Sequence, residues 1–302
     1  MKFIKGIIAA SALAVTGAYA QSNIEFTVTH APGGPSDTVT RIVAKHMERH
    51  SLPVVNRPGA GGRIAMKQVV AGNAMSLATM SQIFVTNDLM VENLEYNVNR
   101  DLQLIGVVAA MPNALVCNKS KNINTVVDLS KVSGLTFGVA GYGSSEHLAT
   151  EVLIKKTKSS HRVIPYSKGG SAAVQDMMAG NIDCMFANFP TVRGVTASDK
   201  LHFVMSSHEL DLGVPTWKKV FGEEFPFQSY LGLVVGTKMD ANEKQLLIND
   251  LTATFQKPAF IEELKKSGVF PVAGTDSKTI SMGLYNNVLL RNFILNNNIK
   301  TN

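Results

Sequence analysis

The 302-residue sequence contains little cysteine, few aromatic residues and only a small excess of charge. Its two cysteines, Cys117 and Cys184, both lie in apolar stretches, so we predict that they are buried and free. A chain of this length buries enough apolar surface to be stable without a cross-link. A disulfide stays an open alternative if the protein works in an oxidising compartment.

Signatures of cofactor and metal binding are also missing. The two cysteines lie far apart in the sequence and suggest no zinc motif, so no metal site is predicted. There is no G-x-x-x-x-G-K-[ST] phosphate loop, and the GYGSSE segment lacks the third glycine of a dinucleotide fingerprint. We therefore expect no nucleotide and no other cofactor.

The charged residues form no large patch. Lys and Arg together number 29 and Asp and Glu 23, which gives a net charge of +6, and the basic residues are scattered. Nucleic-acid binding is therefore not expected. The small positive excess favours contact with anions, although solubility is the simpler interpretation.

The first twenty residues have the pattern of an export signal. Lys2 and Lys5 precede an apolar run that ends in Ala18-Tyr19-Ala20, a small-x-small cleavage pattern. The apolar run is much shorter than the roughly 20 residues needed to span a bilayer. We predict that residues 1–20 are a signal peptide, and no cysteine follows it to carry a lipid anchor.

From Ile24 onwards the apolar pattern alternates between period two and period 3.6, which is typical of βα units around parallel sheets. The chain length favours two lobes. We predict that residues 21–115 and 228–302 form lobe 1 and residues 116–227 form lobe 2. Two crossing segments between the lobes would form a hinge.

Two glycine-rich turns stand between a predicted strand and a predicted helix. The first is HAPGGPSD, in which Gly33 and Gly34 expose the backbone and Ser36 is a candidate helix cap. The second is GYGSSEH, which begins at Gly141. Ligands of α/β sheets bind at the carboxyl ends of strands, where helix N-termini attract anions. Two such turns on facing lobes predict an anion site, whereas either turn alone would be explained by a tight turn and a capped helix.

An enzyme is the main alternative, as an exported serine hydrolase that uses Ser144 with His147. The two residues lie three apart at a helix start, and no G-x-S-x-G elbow is present. We therefore predict no catalytic residue and expect His147 to pack against the helix or bridge the lobes. A receptor that serves a signalling partner is a weaker third hypothesis.

Several motifs occur in one order along the chain, namely HAPGGPSD, VVNRPGAGG, NRDLQLIGVVAAMPNALVCN, GVAGYGSSEHLATE, VIPYSKGGSAAVQDMMAGNIDCMF and the Pro-x-Trp segment at Trp217. Together they resemble the periplasmic solute-binding receptors of tripartite tricarboxylate transporters. The resemblance implies an α/β, two-lobed periplasmic binding protein fold of type II-like form with a hinged ligand cleft. It also implies a periplasmic monomer that captures a small organic carboxylate, with di- or tricarboxylates favoured. The receptor would deliver this ligand to one large and one small integral membrane subunit.

The resemblance also implies the ligand-binding residues. In the first lobe they are Pro32, Gly33, Gly34, Ser36 and Asp37, and two strand-end residues, Ser81 and Gln82. In the second lobe they are Gly141, Tyr142, Gly143, Ser144, Ser145, His147, Lys168, Gly169 and Asn188. The negative charge of Asp37 is unsuited to a carboxylate, so this residue is expected to cap the helix or order a water molecule. The alternative for Lys168 is that it is a solvated surface residue that does not bind the ligand.

Asn188 occupies a place where relatives often carry an acid. An amide both donates and accepts hydrogen bonds and does not repel an anion. We therefore expect the far end of the ligand to be neutral or a second carboxylate and not an amine. The alternative is that Asn188 only caps the next helix.

Overall fold

The computed structural model describes residues 24–72 and 74–299. The predicted signal peptide lies outside the described residues. Within the described ranges, no helix combines the length and apolarity of a membrane span. The strands are β1 Glu25–Val28, β2 Val54–Asn56, β3 Ala74–Thr79, β4 Leu102–Met111, β5 Asn113–Asn118, β6 Thr136–Val139, β7 Arg162–Pro165, β8 Cys184–Asn188, β9 Leu201–Ser206, β10 Ser229–Gly236 and β11 Phe270–Gly274.

Helices connect and cover these strands. They are α1 Pro35–His46, α2 Arg63–Ala71, α3 Asn87–Met90, α4 Val98–Asp101, α5 Ser145–Thr157, α6 Gly170–Ala179, α7 Phe189–Val192, α8 Trp217–Phe221, α9 Ala241–Phe255, α10 Pro258–Lys266 and α11 Ser277–Asn297. A five-residue π-helix, Gln82–Thr86, follows β3. Short 3₁₀ helices occupy Ala60–Gly62, Lys119–Lys121, Val126–Ser130 and Arg193–Ala197.

The strands form two separate sheets. The first has the order β11-β4-β10-β3-β1-β2, and the second has the order β7-β6-β8-β5-β9. In each sheet parallel βα units stand beside antiparallel strands: β10 runs antiparallel between β3 and β4, and β5 does so between β8 and β9. Each sheet is the centre of one lobe, so the prediction of a two-lobed α/β fold is confirmed.

Local sequence pattern explains the first βα unit. Phe26 and Val28 of β1 are fully buried, and α1 buries Val39, Ile42 and Val43 along one stripe, as the 3.6-residue spacing predicts. Helix α1 begins at Pro35, whose fixed φ suits the first helical position, and Gly34 is the N-cap residue. Ser36 therefore lies inside the first turn and does not act as the cap.

The chain passes between the sheets at residues 112 and 207–228. The predicted lobe boundaries stay a prediction; β5 begins at Asn113, slightly before the expected boundary. Helix α11 contacts both cores, because Ile280 packs with the first-lobe cluster around Met80 while Leu290 and Ile294 lie in the second-lobe core. The last helix is thus a third link between the lobes.

The prediction of two free cysteines is wrong. Cys117 on β5 and Cys184 on β8 are joined by a disulfide, with their Cα atoms 4.1 Å apart. The two residues face each other directly in the antiparallel register. Both are fully buried, as expected. Their apolar neighbours predicted burial, but the pairing depends on strand register, which no local pattern reveals.

Candidate ligand-binding cleft

A cleft of about 510 Å³, including its open mouth, lies between the two lobes. It is located at the carboxyl ends of β1, β3, β6 and β8, where ligands of α/β sheets are usually held. Its walls come from both lobes and consist of His30, Ala31, Pro32, Gly34, Pro35, Ser36, Thr79, Met111, Ala140, Glu146, Lys168, Gly169, Gly170, Ser171, Asn188 and Thr191.

The first wall is the N-terminus of α1. The first turn of a helix leaves N–H groups without intrahelical partners, and here Ser36 lies at the cleft in that turn. Asp37 is turned away from the cleft, since its carboxylate accepts the Gly33 N–H at 2.9 Å and Asn56 Nδ2 at 2.9 Å and pairs with Arg41 at 3.0 Å. Burial would raise the pKa of Asp37, but the hydrogen bonds from Arg41, Gly33 and Asn56 together lower it.

The second wall is the turn before α5. Ser144 Oγ accepts the His147 N–H at 3.1 Å and caps the helix, while His147 Nδ1 accepts the Gly143 N–H at 3.2 Å. The Gly143 carbonyl accepts Thr86 Oγ1 at 2.9 Å, a hydrogen bond that joins the two lobes. His147 Nε2 lies 3.6 Å from Glu151. With both ring nitrogens directed to other groups, the geometry gives no support to a Ser144–His147 hydrolase pair.

Asn188 ends β8 and lines the cleft. Its Nδ2 donates to Ser145 Oγ at 3.1 Å. It occupies the N-cap position of α7, but within the described contacts its side chain makes no capping hydrogen bond. The amide is therefore held at the cleft by the first residue of α5.

Glu146 is a cleft residue that sequence reasoning missed. It lies in the first turn of α5, is only 2% exposed, and has one buried oxygen, Oε2, without a hydrogen-bond partner among the described residues. Burial raises the pKa of Glu146 to about 7, although hydrogen bonding from the backbones of Asn188 and Ala140 and from Thr191 opposes the shift. The sequence signal was present, since an acid stood in the GYGSSEH turn itself.

The cleft continues past His30, Lys168 and Gly169 into a second compartment. Its further walls are Thr29, Ala31, Pro58, Gly59, Ala60, Gly61, Gly62, Gln82, Ala140, Gly141, Tyr142 and Ser167. His30 Nδ1 lies 2.8 Å from Thr29 Oγ1, and burial lowers the pKa of His30. Both His30 and the glycine-rich loop at residues 58–62 were missed as cleft residues, although they belong to the HAPGGPSD and VVNRPGAGG motifs.

The sequence-predicted residues divide into two groups. Those that line the cleft are Pro32, Gly34, Ser36, Gln82, Gly141, Tyr142, Lys168, Gly169 and Asn188. Those that do not line it are the exposed Gly33, which lies in the turn before α1, and six residues that lie behind the wall, namely Asp37, Ser81, Gly143, Ser144, Ser145 and His147. The Ser81 hydroxyl is buried and has no hydrogen-bond partner in the described part of the chain.

The one pair of histidines four residues apart does not form a metal site. His46 Nε2 lies 2.7 Å from Glu263, whereas His50 Nδ1 lies 2.8 Å from the buried Asp250, so each ring contacts a different helix. Across residues 24–72 and 74–299, no group of three or more potential ligand side chains is placed to hold a metal ion.

Two α/β lobes with a polar cleft at the carboxyl ends of their strands are the fold of the periplasmic binding proteins. The family model for the tripartite tricarboxylate transporter family receptor matches residues 39–287. The chain therefore belongs to this receptor family, and the resemblance noted in its motifs is confirmed.

Individual relatives agree with this assignment. Protein BugT of Bordetella pertussis is 27% identical over 277 residues, which cover 86% of this chain and 85% of BugT. The structure of periplasmic binding protein BugD has a TM-score of 0.81 at 21% identity and covers 92% of this chain and 98% of BugD. The structure of R. palustris Rpa4515 with adipate has a TM-score of 0.82 at 21% identity and covers 91% and 98% of the two chains.

Proposed function

We propose that this solute-binding receptor captures a small organic carboxylate in the cleft, with di- or tricarboxylates favoured. The observation that carries the proposal is the convergence of three helix N-termini, those of α1, α5 and α6, on one cleft. Each helix has ten or more residues, and its first turn presents positive partial charge and free N–H groups.

The charges in the cleft agree with an anionic ligand. Lys168 lies at the junction of the two compartments and adds a positive charge. Charge-assisted hydrogen bonds are about twice as strong as neutral ones, and lobe closure strengthens them by excluding water. Adipate, the ligand named with the similar R. palustris protein, is such an anion.

The residues proposed to contact the ligand directly are the cleft-lining members of the predicted set, namely Pro32, Gly34, Ser36, Gln82, Gly141, Tyr142, Lys168, Gly169 and Asn188. The remaining predicted residues, Gly33, Asp37, Ser81, Gly143, Ser144, Ser145 and His147, are proposed to shape the turns that present the backbone. The receptor would act in the periplasm, as a monomer, and pass its ligand to one large and one small integral membrane subunit.

Ligand-dependent stabilisation tests the proposal. Mono-, di- and tricarboxylates, aromatic acids and amino acids are screened by thermal shift, and a bound acid at 100 times its dissociation constant adds about 2.7 kcal/mol. Lys168→Ala is expected to weaken binding, whereas Lys200→Ala, a change at another exposed lysine of the second lobe, leaves it unaltered. Failure of every carboxylate to stabilise the protein would refute the proposal.

The character of the far end of the ligand is tested at Asn188. Asn188→Asp places a negative charge in the cleft wall and should weaken dicarboxylate binding by like-charge repulsion. Isothermal titration of succinate and adipate measures the change. Unchanged or tighter binding would show that a second carboxylate does not lie near residue 188.

The hydrolase alternative is tested in parallel. A panel of ester and amide substrates is incubated with the protein and with Ser144→Ala. Hydrolysis that disappears in the variant would establish an enzyme. Stabilisation by a carboxylate without turnover would favour the receptor.

A further inference from the structure

Among the described residues that line either compartment of the cleft, Glu146 is the single acid. A buried carboxylate is normally paired with a cation, because removing its charge from water is costly. No ion pair of Glu146 is found within the described ranges, and its Oε2 atom has no hydrogen-bond partner there. The cleft thus contains a buried acid that has no positively charged partner among the described residues.

The neighbouring residues fix the carboxyl group at the cleft. Both oxygens lie so close to Gly170 that a Cβ atom there would come within 2.9 Å of each, and the same Cβ would meet Thr191 Cγ2 at 3.0 Å. Gly170 is the first residue of α6, and its lack of a side chain leaves space for the Glu146 carboxyl group beside the N-terminus of this helix. The group cannot swing through the position of Gly170, and Glu146 lines the cleft.

The titratable groups around Glu146 are few. His30 faces the cleft from the end of β1, and Lys168 faces it from the loop before α6. On α5 itself, His147 is directed to Glu151. The other nearby charges point away: on α1, Asp37 pairs with Arg41, and after α7, Arg193 donates to the Lys266 carbonyl.

We propose that Glu146 carries a proton in the ligand-bound receptor and donates it as a hydrogen bond to the captured carboxylate, so that binding of the anion takes up a proton from solvent. This inference rests on the proposed function, since it assumes an anionic ligand. A charged Glu146 would repel that ligand in a cleft of low dielectric, whereas the neutral acid supplies an O–H donor.

The electrostatics of the free protein support the proposal. Burial already places the pKa of Glu146 at about 7, so the proton is gained at little cost near neutral pH. A bound anion raises this pKa further, because a like charge disfavours the ionised form. Capture of the ligand and protonation of Glu146 therefore reinforce each other.

The experiment is calorimetric titration of adipate at several pH values between about 6 and 8.5, or of the acid with the largest thermal shift if adipate does not bind. Repeating the titration at pH 8 in two buffers of different ionisation enthalpy counts the protons taken up. We expect uptake approaching one proton per ligand, and affinity that falls about tenfold per pH unit above pH 7.

Variants assign the effect to one residue. Glu146→Gln keeps an amide donor but cannot titrate, so proton uptake should vanish and the pH profile should flatten. Glu209→Gln, at an exposed acid of the same lobe, should keep the wild-type profile. The wild-type proton count stands without any variant, so it remains decisive if Glu146→Gln does not fold.

Other outcomes overturn the inference and remain distinguishable from failure of the proposed function. Binding without proton uptake would show that Glu146 does not take up a proton. Uptake that persists in Glu146→Gln and is lost in His30→Gln would assign the proton to His30. In both cases the proposed carboxylate-binding function would stand. Affinity that rises with pH and is restricted to amino acids would show a charged Glu146 that pairs with an ammonium group. Absence of binding by every carboxylate would refute both proposals.

Discussion

Helices α1 and α5 both follow a glycine turn at the cleft, and both have an acid in their first turn. Asp37 on α1 is turned behind the wall, where Gly33, Asn56 and Arg41 satisfy its oxygens and lower its pKa. Glu146 on α5 faces the cleft, and burial raises its pKa. Similar local sequences have thus produced opposite electrostatic roles.

The opposite pKa shifts of the two acids arise from their hydrogen-bond partners and not from the helices on which they lie. Both acids lie near a helix N-terminus, which favours a negative charge. Three donors surround Asp37 and outweigh its burial. At Glu146, burial outweighs the neighbouring donors. The first-turn acid therefore stabilises its turn in the first lobe. In the second lobe the first-turn acid lines the cleft and can change its protonation state near neutral pH.

The largest expected effect on stability comes from removing the disulfide of the second-lobe sheet, on the side of the comparison that contains Glu146. The disulfide joins β5 to β8, the strand that ends in Asn188 beside Glu146. Removing a cross-link between residues 67 apart is expected to cost about 4 kcal/mol of unfolding free energy, by the chain-entropy model. Denaturant unfolding of Cys117→Ala/Cys184→Ala against wild type measures it.

Reductant provides the internal control for the disulfide. It should destabilise the wild type and leave the double-alanine variant unchanged. Equal stability of the two proteins under oxidising conditions would show that the cross-link constrains the unfolded chain very little.

A second effect, of about 3 kcal/mol, is expected at Glu146. Its pKa in the folded protein is about 7 against an ordinary value of 4.5, so the folded state binds the proton more tightly. The associated stability is full below the ordinary pKa and is lost as pH rises to about 7. Glu146→Gln should therefore be more stable than wild type at pH 8, with the gap closing towards pH 4.5, as calorimetric unfolding would show.

The opposite pH dependence is expected at Asp37. Asp37→Asn breaks the ion pair with Arg41 and weakens the bond to the Gly33 N–H, at a cost of about 2 kcal/mol at pH 7. Because the folded-state pKa is lowered, the stabilisation is present above the ordinary pKa and disappears as pH falls through the lowered value. Thermal unfolding against pH measures it.

Asp211→Asn is the matched control for Asp37, since Asp211 is exposed. It should change stability little at any pH. If Asp37→Asn and Asp211→Asn had the same stability at every pH, the hydrogen bonds and the ion pair of Asp37 would not stabilise the first-lobe turn.

The smallest effect is expected at the helix caps. Ser144 caps α5 through its side chain, whereas α1 begins after Gly34, which has no side chain to donate or accept. Ser144→Ala should cost about 1 kcal/mol of unfolding free energy, the usual value of a serine cap. Ser133→Ala, at an exposed loop serine, is the control, and an equal loss in both variants would contradict the capping role.

Much of the fold follows from local pattern. Phe26 and Val28 alternate in β1, and Val39, Ile42 and Val43 repeat with helical spacing, because apolar side chains that share one face of an element recur with the period of that element. The position of the cleft follows as well, since parallel βα units place their loops at one edge.

The finer features of the site depend on contacts distant in sequence. Whether the acid of GYGSSEH faces inward is decided by Gly170 and Thr191, which belong to other elements. His30 lines both compartments, and the glycine loop at 58–62 forms part of the wall of the second. The Cys117–Cys184 pair required the β5–β8 register. Such relations are set by packing between elements and leave little trace in any one segment.

The order of strands in the two sheets has a consequence for how the chain folds. The second sheet is drawn from one continuous stretch, 113–206, so all its strands are available before the chain is complete. The first sheet needs β10, which inserts between β3 and β4, and these two strands expose unpaired edges until Ser229–Gly236 emerges. We therefore expect the second lobe to fold first and the first lobe to require protection from edge-to-edge aggregation in the meantime.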